Sequence, residues 1–315
     1  MNHIQNIAVI GAGAVGCFYG GKLVQKGFNL QFQSNYLFKA NSKKMNIKSV
    51  WGNFDFLIST HADTSSMQKA DLIIISAKCC NPEEDVIHYS KLIQNILRQN
   101  TIILVLQNGI NIEEKLSKLF PKNPILGGLA FTCINRISPS EIHHIDYGQI
   151  KIGPVDKKFI KEAKQIVQIF SDAGIDTLLE KNLRKARYEK LLWNVPFNSL
   201  SVIGNKSSTK EIIEFEPLFN LSKKLMLEVI SVAKSEGIQL KKSIVDEMLE
   251  KTKKMKPYKT SMLLDYEKGN KMEVESILGE IYRNGQKKKL SLPNIEYTYR
   301  ILQFLNREKN ETNVN

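Results

Sequence analysis

The stretch AVIGAGAVGCFYGG, residues 8–21, limits the fold more than any other part of the chain. Gly11, Gly13 and Gly16 stand at G-x-G-x-x-G spacing, directly after the apolar run NIAVI and at the start of a helical pattern. Each glycine has a physical reason: a tight turn, close approach of the backbone to a pyrophosphate, and close packing of helix on sheet. The helix N-terminus then offers free N–H groups and a favourable dipole to phosphate. A glycine-rich turn alone would be weak evidence. Between a strand and a helix near the N-terminus, it makes Gly11, Ala12, Gly13, Ala14, Val15 and Gly16 candidates to hold a dinucleotide.

The first half continues in that style. AVGCFYGGKLVQKG reads as an amphipathic helix closed by Gly27, and NLQFQS as a second strand. DLIIIS, TIILVLQNG and PILGGLAFT add apolar strands, with helical patterns over about 83–98 and 111–119 between them. Apolar strands separated by helices indicate a parallel sheet covered on both faces. A helical pattern over 156–172 and a short strand in IDTLLE close this part, and after about 183 the period is helical with short breaks. The expected fold is α/β, an N-terminal Rossmann-type doubly wound sheet followed by an all-helical C-terminal domain. The domains are expected at 1–182 and 183–315.

A chain of 315 residues suits two domains, and 42% hydrophobic with 24% charged residues is a globular composition. The longest apolar strips are far shorter than the roughly 20 residues of a spanning helix, which argues against a membrane protein. With no room for a signal peptide before the first strand, a cytoplasmic protein is expected. The four cysteines show neither a C-x-x-C pair nor zinc spacing and read as reduced thiols. The net charge of +13 is carried mostly by lysine spread over helices and reads as a solvated surface, with no nucleic-acid partner expected, while the lysine clusters at 251–259 and 286–290 leave nucleic-acid binding as a further alternative. No metal site is expected.

The end of the second strand bears on cofactor choice. An acid there would grip a ribose 2′-hydroxyl; Gln33, Ser34, Asn35 and Lys39 offer none, which favours NADP over NAD. Two more loops follow predicted strands, the position where ligands bind in open α/β sheets. One carries Lys78, the other Asn108 before Gly109.

In YEKLLWNVPFNSL, residues 188–200, Lys190, Asn194 and Asn198 recur every four residues and form one narrow stripe on an otherwise apolar helix. Either the stripe faces a wetted cleft and a polar ligand, or Lys190 snorkels and the amides satisfy neighbouring backbone. Pro196 inside the helix is expected to bend it. Farther on, Ser261, Asp265, the break at Gly269 and Asn270, and Glu273 add a hydroxyl and carboxylates. Lysine, carboxylate, hydroxyl and amides together suit gripping and protonating a small oxo acid.

With these residues in view the chain resembles the ketopantoate reductase (2-dehydropantoate 2-reductase) family over nearly its full length. The family's Lys, Asn and Asn at four-residue steps match Lys190, Asn194 and Asn198. Its S-M-L-x-D motif with a later glycine and glutamate matches Ser261, Met262, Leu263, Asp265, Gly269 and Glu273. Its nucleotide-domain lysine and Q-N-G match Lys78 and Gln107, Asn108 and Gly109. The resemblance implies NADPH-dependent reduction of 2-dehydropantoate to (R)-pantoate, a step towards pantothenate and coenzyme A. It further implies Lys190 as general acid, Glu273 orienting the lysine and the substrate hydroxyl, Ser261 holding the carboxylate, and Asn194 and Asn198 positioning lysine and substrate.

This sequence departs from the family at Tyr258, where a substrate-binding asparagine is common, at Asn270 and Met272 before the glutamate, and in lacking an arginine beyond the second strand. Those departures bear on which oxo acid is accepted. The alternatives are a reductase of another branched 2-oxo acid and a non-catalytic NADP-binding sensor. An exposed apolar helix face and an intersubunit one read alike, which leaves a homodimer open. Hinge closure on substrate is expected of two such domains. His143 and His144 lie in a predicted loop or hairpin far from the helical motifs and read as structural or exposed, and His3, His61 and His88 have no partner in sequence that suggests a site.

Overall fold

The computed structural model describes residues 4–311, with side chains through residue 307, so His3 and the last four residues of the C-terminal tail lie outside the described residues. The chain forms two compact units. The first comprises residues 1–78, 83–107 and 111–183; the second comprises 79–82, 108–110 and 184–315.

In the first unit the strands are β1 (Asn6–Ile10), β2 (Asn29–Gln33), β3 (Lys44–Ser49), β4 (Phe54–Leu57), β5 (Thr60–His61), β6 (Leu72–Ile75), β7 (Ile102–Val105), β8 (Ile125–Ser138), β9 (Glu141–Pro154) and β10 (Thr177–Leu179). The helices are α1 (Ala14–Gln25), α2 (Asn35–Lys39), α3 (Pro82–Ile96), α4 (Ile112–Leu119) and α5 (Ile160–Asp172). All ten strands join one sheet in the order β4-β3-β9-β8-β7-β6-β1-β2-β5, with β10 beside β9. The run from β8 to β5 is parallel, as apolar strands with helical crossovers require. β8 and β9 instead form a long antiparallel hairpin, and β3 and β4 a second one, so the sheet is mixed rather than purely parallel.

That mixing changes the environment of α1. The expected amphipathic helix is buried on consecutive residues from Gly16 through Gly21. β1 and β2 cover one side of it, β4 another, and the β8–β9 hairpin a third. Gly20 and Gly21 lie against the rings of Phe32 and Phe56, and the Tyr19 hydroxyl donates to the Gly148 carbonyl at 3.1 Å. Over that span the helix is enclosed and shows no polar face, and only near its end do Lys22 and Gln25 reach solvent. It ends as its sequence suggests: Gly27 takes a φ of 97°, with Gly27 N–H to the Val24 carbonyl and Phe28 N–H to the Leu23 carbonyl.

The second unit is helical: α6 (Leu183–Ile203), α7 (Thr209–Glu214), α8 (Glu216–Ser235), α9 (Ser243–Lys253), α10 (Ser261–Glu267), α11 (Glu280–Lys287) and α12 (Pro293–Glu311). Tyr188, Leu191, Leu192, Val195, Phe197 and Leu200 of α6 are all buried in its apolar core, with Met226 and Val229 of α8 and Ile281 of α11. α6 continues through Pro196, whose missing N–H leaves one helical bond unmade. Before α11 a π-helical turn covers Glu275–Gly279. Such turns insert a residue and are frequent at functional sites. Here Glu275 fixes the turn by accepting hydrogen bonds from Arg283, Tyr299 and Gln303 at 2.6 to 3.0 Å.

Among the described residues no helix is long and apolar enough to cross a membrane, and all four cysteines are free.

Candidate active site

The glycine loop folds between β1 and α1 for separable reasons. Gly11 has a φ of 82°, and a Cβ there would stand 2.3 Å from the Ala77 backbone; one on Gly16 would stand 2.2 Å from Ser76 Oγ. Those two glycines are demanded by the protein itself. Gly13 is different. Its φ of −73° suits any residue, and nothing lies within 4 Å of where its Cβ would be. A glycine that internal packing does not require leaves room for an incoming group. At the N-terminus of α1, where no side chain caps the helix, that group is best an anion. The loop therefore fits a dinucleotide pyrophosphate.

The strand ends around it are tied together. Gly11 and Ala12 N–H donate to the Gln33 carbonyl at 3.1 and 3.2 Å, and Gln107 Nε2 donates to the Ala77 carbonyl at 2.7 Å. Gln33 Nε2 bonds the Ala62 carbonyl, and Ser34 caps α2 through Leu37 N–H, so both are engaged in local structure. Asn35 and Lys39 are exposed. So is the Lys78 side chain, while the Lys78 carbonyl accepts from the Tyr89 hydroxyl at 2.5 Å.

The second unit holds the polar cluster. Lys190 Nζ donates to Asn108 Oδ1 at 3.0 Å, and Asn108 Nδ2 donates to Glu273 Oε2 at 3.1 Å. The other carboxylate oxygen of Glu273 accepts from Cys79 N–H at 3.1 Å. One amide thus links an ammonium to a carboxylate, with each end of the amide matched to the charge it meets. Hydrogen bonds to charged groups contribute about 1.5–3 kcal/mol each, enough to fix the orientation of all three side chains. Gly109 makes this possible. At a φ of 100° it brings the loop onto the π-helical turn, where a Cβ would stand 2.3 Å from the Ser276 carbonyl oxygen.

Asn194 and Asn198, one and two turns along α6, are buried at 7% and 2% exposure, and neither side-chain amide is engaged by another described residue. The polar atoms of these amides are not among the buried ones that lack a partner, so they reach space that water or a ligand can fill. Ser261 is exposed at the first turn of α10 and takes no part in the Lys190–Asn108–Glu273 chain of bonds. It does sit next to Thr260, whose hydroxyl caps α10 and lies 2.6 Å from the hydroxyl of Ser201 on α6.

Among the residues that depart from the family pattern, the Tyr258 carbonyl accepts from Thr209 N–H at 3.0 Å while its N–H donates to Thr209 Oγ1 at 3.2 Å, Met272 is fully buried, and Asn270 is exposed beyond the C-terminus of α10. Two groups escaped sequence reasoning. The Cys79 amide, next to the flagged Lys78, supports Glu273; a backbone group leaves no mark on a sequence. Arg136 lies far along the chain in a hairpin that no short motif announces. Its guanidinium reaches the Ala12 carbonyl at 2.8 Å and the Gly13 carbonyl at 3.2 Å. His144 is buried, bonded to Ser49 Oγ and the Tyr147 carbonyl, and burial holds its pKa below the usual histidine value.

Residues 7–157 match the family described as Ketopantoate reductase PanE/ApbA, and residues 182–306 its C-terminal counterpart. A 2-dehydropantoate 2-reductase of Nostoc sp. is 36% identical over 309 residues, covering 96% of this chain and 95% of that protein. The crystal structure of 2-dehydropantoate 2-reductase from Methylococcus capsulatus aligns over 97% of this chain and 98% of its own at a TM-score of 0.85 and 31% identity. A D-mandelate dehydrogenase solved with NADH and anilino(oxo)acetate shares the fold at a TM-score of 0.87 over 97% of this chain and 99% of its own, with 20% identity. The match spans both the glycine-loop unit and the helical unit that carries Lys190 and Glu273, and the chain belongs to the ketopantoate reductase family of oxidoreductases.

Proposed function

We propose that this protein reduces 2-dehydropantoate to (R)-pantoate with NADPH, a step towards pantothenate and coenzyme A. The observation that carries the reading is the bonded series Lys190–Asn108–Glu273, beside two buried asparagines on the same helix. The similarity to relatives named for that reaction, over nearly the whole chain, supports the choice of substrate. The polar segment after β2, with no acid at Gln33, Ser34 or Asn35, supports NADPH over NADH.

Gly11 to Gly16 hold the pyrophosphate, with Lys78 and Asn108 as further cofactor contacts. Bound NADPH supplies the hydride. Lys190 donates a proton to the substrate oxygen as it gains negative charge, and its ammonium stabilises that charge before the proton moves. Glu273 accepts the substrate hydroxyl and, through Asn108, keeps Lys190 in place. Ser261 binds the carboxylate, and Asn194 and Asn198 orient the substrate. Tyr258 and Met272, which stand where the family commonly has an asparagine and a threonine, favour a second reading, a reductase of another branched 2-oxo acid, because gain or loss of a polar group that meets the substrate discriminates strongly between substrates.

The test is turnover of a panel of 2-oxo acids with each nicotinamide cofactor. A kcat/KM highest for 2-dehydropantoate with NADPH sustains the reading. A clear preference for another oxo acid, or for NADH, replaces that half of it.

A further inference from the structure

We propose that Arg136, near the end of β8, is a positioning residue for the cofactor's pyrophosphate. The inference rests on the reading that the glycine loop binds a nicotinamide dinucleotide. One terminal nitrogen of the guanidinium donates to the carbonyls of Ala12 and Gly13 at 2.8 and 3.2 Å and lies 3.2 Å from Cys17 Sγ. The other donates to the carbonyls of Pro139 and Ser138 at 3.1 and 3.4 Å. The arginine therefore clamps the second and third residues of the glycine loop to the turn between β8 and β9. Pro139 is itself tied to the segment after α2, since Ser42 Oγ donates to its carbonyl at 3.4 Å.

Two consequences follow from elementary electrostatics. The Gly13 carbonyl already accepts from Cys17 N–H at 3.1 Å, and Arg136 adds a second, charged donor to it; because a peptide's C=O and N–H point in opposite directions, that added hold also restrains the Ala14 N–H at the first turn of α1. That N–H is one of the free donors a phosphate would meet. The guanidinium also adds a permanent positive charge beside a helix N-terminus. A cation is disfavoured there on its own account, because the helix dipole already makes that end positive. The cost is offset by the carbonyls it meets, and further offset once two phosphate charges arrive. Arg136 is half-buried, so water screens this charge less than it would a surface lysine.

With both terminal nitrogens committed to the loop and the turn, Arg136 acts on the phosphates through the loop and through its charge. It therefore serves NADPH and NADH alike and does not read the 2′-phosphate.

The experiment is calorimetric titration of NADPH, NADH and 5′-ADP into the full chain, across a range of salt concentrations. Wild type, Arg136→Met and Arg136→Lys are compared, with circular dichroism confirming that each variant is folded. Arg136→Met is expected to weaken all three ligands on the order of tenfold and to flatten the salt dependence. Arg136→Lys is expected to regain the salt dependence but only part of the affinity, since an ammonium cannot fork onto two carbonyls. Unchanged affinity in Arg136→Met would overturn the proposal, as would loss confined to NADPH, or weaker binding at the full wild-type salt slope. A wild-type chain that binds none of the three ligands overturns the cofactor reading itself, and this proposal with it.

Discussion

Substituting Gly13 by Ala separates what the loop needs for folding from what it needs for binding. Gly13 is in an extended conformation at a φ of −73°, and its missing Cβ faces no atom within 4 Å. Alanine fits there without strain, so the free protein is expected to be unchanged or stabilised by up to about 1 kcal/mol through a less flexible unfolded chain. Gly11→Ala, two residues earlier, meets a φ of 82° and the Ala77 backbone at 2.3 Å. It is expected to cost about 2–5 kcal/mol from strain and overpacking together.

Binding inverts the order of interest. A methyl group on residue 13 occupies the approach of the phosphates, and lengthening even one charge-assisted bond worth about 1.5–3 kcal/mol lowers affinity roughly tenfold to hundredfold. Urea denaturation and NADPH fluorescence titration read the two quantities on the same samples. Gly13→Ala with wild-type stability and weak binding is the expected result. A Gly13→Ala protein as unstable as Gly11→Ala, or one that binds NADPH normally, would refute the reasoning.

Gly109→Ala is expected to destabilise the helical unit by about 2–4 kcal/mol in urea and to lower kcat about a hundredfold, because the loop must back away from the Ser276 carbonyl and take Asn108 with it. Burial alone would raise the pKa of Glu275, but hydrogen bonds from Arg283, Tyr299 and Gln303 and the Arg283 charge hold it below the ordinary glutamate value. A carboxylate depressed in the folded state adds stability above its unfolded pKa and loses it as pH falls through the folded one. The wild type should therefore lose stability on acidification below the usual glutamate range, while Glu275→Gln, less stable near neutrality, should lose less over that same interval; equal losses would argue against the network. Burial pushes the Cys17 thiol up to about 11 despite the nearby Arg136. It should resist alkylation at neutral pH, as peptide mapping would show, while the partly exposed Cys80 reacts first.

Local chemistry was legible in the sequence, and long-range pairing was not. The glycine loop, the parallel strands and the helical second half follow from period and turn residues that lie within a few positions of one another. The Lys190, Asn194 and Asn198 stripe follows from the helical repeat, and burial of the two amides agrees with a polar stripe on an apolar helix. The β8–β9 hairpin is only half legible: the segment around His143 and His144 reads as a loop or hairpin, but neither the length of its strands nor their pairing follows from the sequence. Its strands bulge at three places, and Tyr147 and Gly148 interrupt the alternation with positive φ, so no clean period of two survives. Without the strand lengths and pairing of that hairpin, the enclosure of α1 and the place of Arg136 do not follow from the sequence either. Asn108 and Glu273 are 165 residues apart, and only the fold brings them within 3.1 Å of each other.

The central claim is that Lys190 supplies the proton in a reduction whose geometry is kept by Asn108 and Glu273. Its most direct test is a single-turnover measurement of NADPH consumption with 2-dehydropantoate, comparing wild type with Lys190→Ala at matched cofactor occupancy. The account predicts that the variant binds NADPH as the wild type does and loses at least about a thousandfold in the rate of reduction, in keeping with loss of a general acid that also stabilises charge. A variant that reduces the substrate at the wild-type rate would contradict it.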